Sequence, residues 1–320
     1  LGDTAVESAH EVCYTATPIP ENEVAVALRI LFLGEIVGKA GVFCVKSMLK
    51  GVCKDYEIDF VIANGDGATG GFGIGKNHSI YLHKLGIDVL TGGECIFYKK
   101  DMVDHIRKAP YVLRAANYPA GSPGRGWRVY SVEPNNESAP RVGVISLMGQ
   151  SGYTRVHPSN PFTYLPELVD RLREQTATII VDFHATTTAE KYTMFHHGDG
   201  LVSAIIGTHT KALTADERVL PKGTAVLCDA GRTGSLVSVG GLEPSIEIQK
   251  FLTQIPERSK DAWESIEMQG AVIEVADDGR ATSIKRLRLP CTEEPHDRDG
   301  SGDGNSRKKR DPQLRPAPGM

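Results

Sequence analysis

Five residues able to bind a metal ion occupy comparable places along the chain. Glu35, Asp66, Glu94, His184 and His209 each fall at, or just beyond, the end of a short apolar run. In an open α/β sheet such ends gather on one edge, where ligands bind. Carboxylate and imidazole donors without thiolate suit manganese, iron or zinc better than a soft metal. Taken singly, each has an ordinary explanation. A carboxylate after a strand commonly closes a turn or caps a helix, and a histidine inside an apolar stretch, as His184 is, commonly completes a core hydrogen bond. Five together, with glycine flanking three of them, point to a metal site. The glycine-rich stretch over 65–75 lacks both the Lys-Ser/Thr ending of a phosphate loop and a clean dinucleotide-binding spacing. That counts against a dinucleotide-dependent enzyme. It leaves a loop that lets backbone approach a metal-bound phosphate, or a plain flexible connection.

The elements that must hold these residues are legible as an alternation. Leu28–Leu33, Phe60–Ala63 and Asp88–Leu90 are short apolar runs that end in glycine-containing turns, as buried strands do. Helical spacing follows the first through Val42, Val45, Met48, Leu49 and Val52, and recurs over 77–86 and 99–107, with a strand at 111–114. The second half repeats the texture. Strands are expected at Val142–Leu147, Thr178–His184, Val202–Ile206 and 224–228, a helix over about 166–175, and two β segments within 270–289 divided by Asp277-Asp278-Gly279. Alternating strands and helices predict an α/β core. His78 and His83 fall in a helical pattern as packing or surface residues. His196-His197-Gly198-Asp199 reads as a loop, surface decoration rather than a cleft lining. Asp182, two residues before His184 in a strand, could orient His184 or a neighbour, with a structural end cap of the ladder as the preferred reading.

The chain has 320 residues, 36 Lys+Arg against 40 Asp+Glu, a net charge of −4, and 40% hydrophobic content. This is an ordinary globular composition. It excludes collagen, coiled coil and wholesale disorder, and it has no basic excess with which to coat nucleic acid. No run approaches the roughly 20 apolar residues of a membrane span, and the acidic first 23 residues show no signal peptide. Six cysteines without a Cys-x-x-Cys pair suggest reduced thiols in a cytoplasmic protein. An irregular extension is expected over 1–27, one domain over 28–289, and a disordered charged tail over 290–320. A homo-oligomer is compatible with this composition.

Several ungapped blocks resemble those of the bacterial YmdB-type metallophosphoesterases, in order and spacing. They are Gly34-Glu35-Ile36-Val37-Gly38, Asn64-Gly65-Asp66-Gly67, Leu113–Pro119, Asp182-Phe183-His184-Ala185, Gly207-Thr208-His209-Thr210 and Leu220–Ala225. The resemblance covers about residues 28–289. It implies a four-layer α/β/β/α sandwich of the metallophosphoesterase (calcineurin-like) type. It also implies a dinuclear metal centre, commonly iron, and hydrolysis of phosphodiesters, notably 2′,3′-cyclic nucleotides.

Carried over residue by residue, the resemblance implies an altered site. The family's first-strand Asp is Glu35, its bridging Glu is Asp66, and the Asn beside that bridge is Gly67. Its Gly-Asn-His block reads Gly93-Glu94-Cys95, which puts a carboxylate at a metal Asn and a thiol at the acid His. His184 and His209 match, and the last family His is Lys211. One metal keeps four donors in Asp66, Glu94, His184 and His209. The other would need Gly67 and Lys211, which cannot coordinate. The expectation is therefore one ion, iron or manganese, with the Lys211 ammonium in the place of the second and paired with Glu35 or Asp66. Cys95 lacks an evident base partner for nucleophilic work and reads as a small polar filler. Two functions follow: a phosphodiesterase of altered metal use, or a catalytically inert protein that binds nucleotides or regulates a partner. Asn117 and Arg232 lie in or near the shared blocks with no role assignable from their chemistry alone.

Overall fold

A computed structural model describes residues 26–293. The N-terminal extension, the charged tail with its Arg307–Arg310 run, and Cys13 lie essentially outside the described residues. Strand β1 (Val26–Leu33) leads through a two-residue strand β2 (Glu35–Ile36) into α1 (Gly38–Asp55). Then come β3 (Phe60–Asn64), α2 (Lys76–Lys84), β4 (Val89–Thr91), α3 (Lys100–His105) and β5 (Val112–Leu113). The next block comprises β6 (Trp127–Ser131), β7 (Arg141–Met148), α4 (Pro161–Arg173), β8 (Thr178–His184), α5 (Thr188–Gly198), β9 (Ala204–Thr208), β10 (Arg218–Val219) and β11 (Ala225–Leu227). The chain then returns to the first sheet with β12 (Arg232–Ser235), α6 (Pro244–Thr253), β13 (Ile266–Ala276) and β14 (Ala281–Pro290).

Two sheets result. One runs β2-β12-β13-β1-β3-β4-β5, with β14 beside β13; the other runs β10-β11-β9-β8-β7-β6. The period-two alternation of β1 explains their stacking. Leu31 and Leu33 face outward to Val45, Leu49, Leu82 and Met102, which belong to α1, α2 and α3. Ile30 and Phe32 face inward and share a core with Val144, Ile180 and Ile206 of the second sheet. The other face of the second sheet, with Ile145, Leu147, Ile179 and Val181, packs on Leu165, Leu168 and Val169 of α4 and on Met194 and Phe195 of α5. Helix, sheet, sheet and helix are thus stacked in four layers.

Three expectations need correction. The strand expected at Val202–Ile206 is Ala204–Thr208, because Val202 makes only an isolated bridge to Asp199 while pairing with β8 starts at Ile180–Ala204. His196 and His197 are not in a loop: they end α5, whose inner face is Lys191, Met194 and Phe195. The glycine-rich stretch is not a loose connection but is closed on itself. The Gly71 and Gly73 amides donate to Gly67 O and Asp66 O, and the Thr69 amide donates to Gly73 O.

Candidate metal centre

The parallel strands of both sheets deliver their carboxyl ends to one edge. Asp66 lies two residues past β3, Glu94 three past β4, His184 ends β8 and His209 follows β9. These residues meet. His184 Nε2 is 2.6 Å from Glu94 Oε2, and His209 Nδ1 lies 3.1 Å from His184 Nε2 and 3.4 Å from Glu94 Oε2. Asp66 Oδ2 is 3.9 Å from His184 Nε2 and accepts the Cys95 amide at 2.9 Å. Glu35 and Lys211 stand on the other side of Asp66, with Lys211 Nζ 3.0 Å from Glu35 Oε1. The Glu35 carboxylate occupies space beside Gly67: a Cβ on that glycine would come 2.6 Å from Glu35 Oε1. The Glu35 carboxylate therefore fills space that a side chain at position 67 would need. Cys95 is buried, with its thiol 3.7 Å from Glu94 Oε1.

Crowded charge sets the protonation of the cluster. Burial, then the Glu94 and Glu35 carboxylates, push Asp66 up to about 7, with His184 opposing. Burial works against a charged His184, yet Glu94 and Asp66 outweigh it and raise the imidazole to about 9. For Glu94 burial is likewise overcome, by His184 and His209, and its pKa is well below the usual carboxylate range. Burial also opposes the Lys211 charge, but Glu35 and then Asp66 hold it raised. The Cys95 thiol is driven far above its ordinary range by burial, then by Asp66 and Glu94. It is a poor proton donor.

Residues behind the cluster fix its donors. Asp182 is fully buried, and its carboxylate accepts from Asn64 Nδ2 (2.8 Å), from the Thr91 hydroxyl and from the Thr208 hydroxyl (2.6 Å). A Thr208 hydroxyl that donates to Asp182 offers only a lone pair to His184 Nδ1, 2.9 Å away. Nδ1 must then carry hydrogen, which leaves Nε2 as the nitrogen turned toward Glu94 and His209. Such a carboxylate-backed imidazole orientation recurs around metal-binding histidines. The turn after β9 is strained, with φ of 99° at His209 and 59° at Lys211, a left-handed region costly for residues with a Cβ. It is pinned from behind. Asp229 accepts the Thr210 amide at 3.0 Å and pairs with the buried Lys191 ammonium at 2.8 Å, and Arg232 Nη1 donates to Lys211 O at 2.7 Å. Tyr153 packs edge-on to His209, 5.5 Å between ring centroids, and donates to His184 O. Asn117 ties Met148 to Ser159, at the two ends of the loop that carries Tyr153.

Sequence reasoning passes over Lys191, Asp229, Thr208 and Tyr153. Lysine at one of the buried spacings of α5 is the available signal for the first pair. His78, which contacts the Thr69 hydroxyl, and His83 lie in α2 as expected, and His196 and His197 are exposed.

The donor set is chemically suited to a cation. Asp66 Oδ1 is buried and has no hydrogen-bond partner among the described residues, an arrangement that costs free energy unless something electropositive completes it. One ligand atom each from Glu94, His184 and His209 lie within 4.8 Å of one another, as do those of Asp66, Glu94 and Cys95. Around Glu35 the carboxylate faces the Lys211 ammonium and Gly67.

Two stacked sheets with site residues at their shared edge define a protein of the metallophosphoesterase type. The model of the YmdB-like protein family matches residues 31–287, and the chain belongs to that family. It is 35% identical over 263 residues to a 2′,3′-cyclic-nucleotide 2′-phosphodiesterase of Bacillus subtilis, covering 82% of this chain and 97% of the relative. It is 30% identical over 275 residues to a putative phosphatase/phosphodiesterase of Mycoplasma genitalium, covering 84% and 95%. Among solved structures it is similar to a novel phosphatase from Mycoplasma pneumoniae, with a TM-score of 0.75, 30% identity and coverage of 82% and 93%. A hypothetical protein from Thermus thermophilus aligns with a TM-score of 0.74, 29% identity and coverage of 82% and 99%. Among the described residues no helix is long and apolar enough to cross a membrane.

Proposed function

We propose that the chain is a phosphodiester hydrolase that works with one divalent cation, iron or manganese, and takes 2′,3′-cyclic nucleotides as substrates. Asp66, Glu94, His184 and His209 would hold the cation, and Lys211 would serve in place of a second. The observation that carries this reading is the Lys211–Glu35 pair standing beside a separate carboxylate–imidazole cluster with an unsatisfied Asp66 oxygen. The substrate class rests on the name of the Bacillus subtilis relative.

When bound, the cation supplies Lewis acidity to a phosphoryl oxygen and to water. The chain's own residues divide the remaining work. Thr208 and Asp182 keep His184 Nε2 turned into the site. The Lys211 ammonium, partly exposed and neutralised on one side only, can donate to a phosphoryl oxygen. Cys95 does not replace a general acid, because its thiol holds its proton too tightly. The absence of such an acid costs about 10²–10⁴ in rate, so turnover should be slow.

The test is metal content by mass spectrometry on chelator-free protein, paired with hydrolysis of 2′,3′-cyclic AMP after loading with iron or manganese. About one ion per chain and turnover above a His184→Ala control are expected. Two ions beside a displaced Lys211, or no ion at all, would sink the one-cation reading. The buried, acid-incompetent Cys95 favours a second reading, a catalytically inert nucleotide-binding protein. Its signature is saturable nucleotide binding without turnover under every metal.

A further inference from the structure

Two exposed aromatic rings lie on the turns that hold Asp66 and Glu94, and the chemistry described so far uses neither. Phe72 is 40% exposed between the buried Gly71 and Gly73, at the tip of the loop that follows Asp66. Its ring lies 5.9 Å from Lys211 Nζ. Tyr98 is 45% exposed and belongs to the turn that carries Glu94 and Cys95, its amide donating to Cys95 O. The Arg155 guanidinium sits 5.7 Å from the Tyr98 ring centroid. The two turns touch: a Cβ on Gly73 would lie 2.6 Å from Cys95 O and 3.2 Å from Tyr98 Cβ. One ring thus borders the Lys211 side of the site and the other the Cys95 side.

Burial does not account for these rings, since each leaves a large share of its surface in water. Aromatic faces and guanidinium planes are surfaces on which nucleobases stack, independently of base identity. A phosphodiester seated at the Asp66–Glu94–His184–His209 cluster would have its phosphate inside and its organic substituent at this rim. We propose that Phe72 and the Tyr98–Arg155 pair form a base-stacking rim that selects nucleotides over phosphodiesters without a base. The proposal rests on the phosphodiesterase reading for the position of the phosphate.

The experiment is calorimetric titration of the manganese-loaded full chain with adenosine 3′-monophosphate and with inorganic phosphate, in wild type, Phe72→Leu, Tyr98→Leu and Phe72→Trp. Wild type should bind the nucleotide tighter than phosphate. Each leucine variant should weaken nucleotide binding about 5- to 150-fold, the equivalent of one base stack, with phosphate affinity and manganese content unchanged. Phe72→Trp should retain the preference, because it keeps a stacking face. Equal affinity of wild type for the two ligands, unchanged nucleotide affinity in both leucine variants, or a parallel loss of phosphate binding would each overturn the rim. Hydrolysis of glycerol 1,2-cyclic phosphate separates this outcome from failure of the enzymatic reading. Turnover of that diester without any nucleotide preference removes the rim alone. A ring-dependent nucleotide preference without turnover of that diester or of 2′,3′-cyclic AMP removes the hydrolase and keeps the rim.

Discussion

The two sides of Asp66 solve the problem of buried charge in opposite ways. On one side Glu94, His184 and His209 crowd their donor atoms within 4.8 Å of one another, and Asp66 brings an oxygen with no partner among the described residues. On the other side Glu35 already has a cation, the Lys211 ammonium at 3.0 Å. Buried carboxylates need positive partners. One half meets that need with a fixed ammonium, and the other with the imidazoles of His184 and His209 on Glu94, groups that can give up a proton to a metal, while one oxygen of Asp66 stays without a partner among the described residues. A carboxylate already neutralised by an ammonium of the same chain is a poor metal ligand, because the ammonium has no lone pair to offer and its charge repels a cation.

The largest effects should come from changes that erase or equalise this difference. His184→Ala removes the imidazole that touches both Glu94 and His209, and bound metal should fall from about one ion per chain to none by mass spectrometry. The converse is the triple variant Glu35→Asp, Gly67→Asn and Lys211→His. Shortening the acid vacates the space that a side chain at 67 needs, and the imidazole replaces an ammonium with a ligand. Metal content should rise from about one ion to about two. Retention of one ion in the triple variant would show that the difference between the halves lies elsewhere than in these three positions.

Acidity should act on the open half next. His184 is raised from 6.5 to about 9 and Asp66 from 3.8 to about 7 in the metal-free protein. A metal ion must displace those protons, so affinity should strengthen by up to roughly a hundredfold per unit below about pH 7, where both are displaced, and roughly tenfold per unit from about 7 to 9, with proton release detectable by calorimetry in different buffers. The folded protein binds these protons more tightly than the unfolded chain. The stability they contribute is fully present below the unfolded values and is lost as pH rises through about 7 and then about 9. The melting temperature of metal-free protein should therefore fall over the range in which the metal-induced increase grows. A flat metal affinity between pH 6 and 9 would contradict the protonation described here.

Most of the open half is legible in the amino-acid order alone. Asp66, Glu94, His184 and His209 stand where apolar runs end, and a parallel strand that ends in a polar residue has one place to put it. The support behind them is not legible there. That Asp182 could orient His184 is readable from its position, but not how, because its partners Asn64, Thr91 and Thr208 come from β3, β4 and β9, and only the stacking of two sheets brings these strands together. The same holds for Lys191 and Asp229, 38 residues apart in sequence. The hydrophobic pattern of β1 forecasts two packed faces, but β2 and β12 are too short for a periodicity to show, so the element that carries Glu35 leaves no signal. α5 escapes notice because His196-His197-Gly198-Asp199 looks like a turn, although Lys191, Met194 and Phe195 recur at helical spacing.

The supporting hydrogen bonds should have a smaller, graded effect. Thr208→Val keeps the shape of the side chain and removes the hydroxyl that orients His184, so metal affinity should weaken about 10- to 100-fold. Nitrogen chemical shifts of the His184 ring should report whether hydrogen has left Nδ1, a change that loss of packing alone would not produce. Unaltered shifts and affinity would reduce the Asp182–Thr208–His184 chain to core packing.

The smallest effect tests the closed half alone. Lys211→Met leaves Glu35, 3% exposed, without its cation. An unpaired buried acceptor costs about 1–3 kcal/mol, and the low figure applies here because Lys211 itself reaches solvent and water can enter in its place. The melting temperature should drop by a few degrees. Metal bound on the open side should stay at about one ion, since Lys211 contacts none of Glu94, His184 or His209. Its positive charge also lies near Asp66 and opposes a cation there, so affinity should rise slightly rather than fall. Loss of that ion in Lys211→Met would mean that the two halves act as one unit, with the ammonium organising the carboxylates for both.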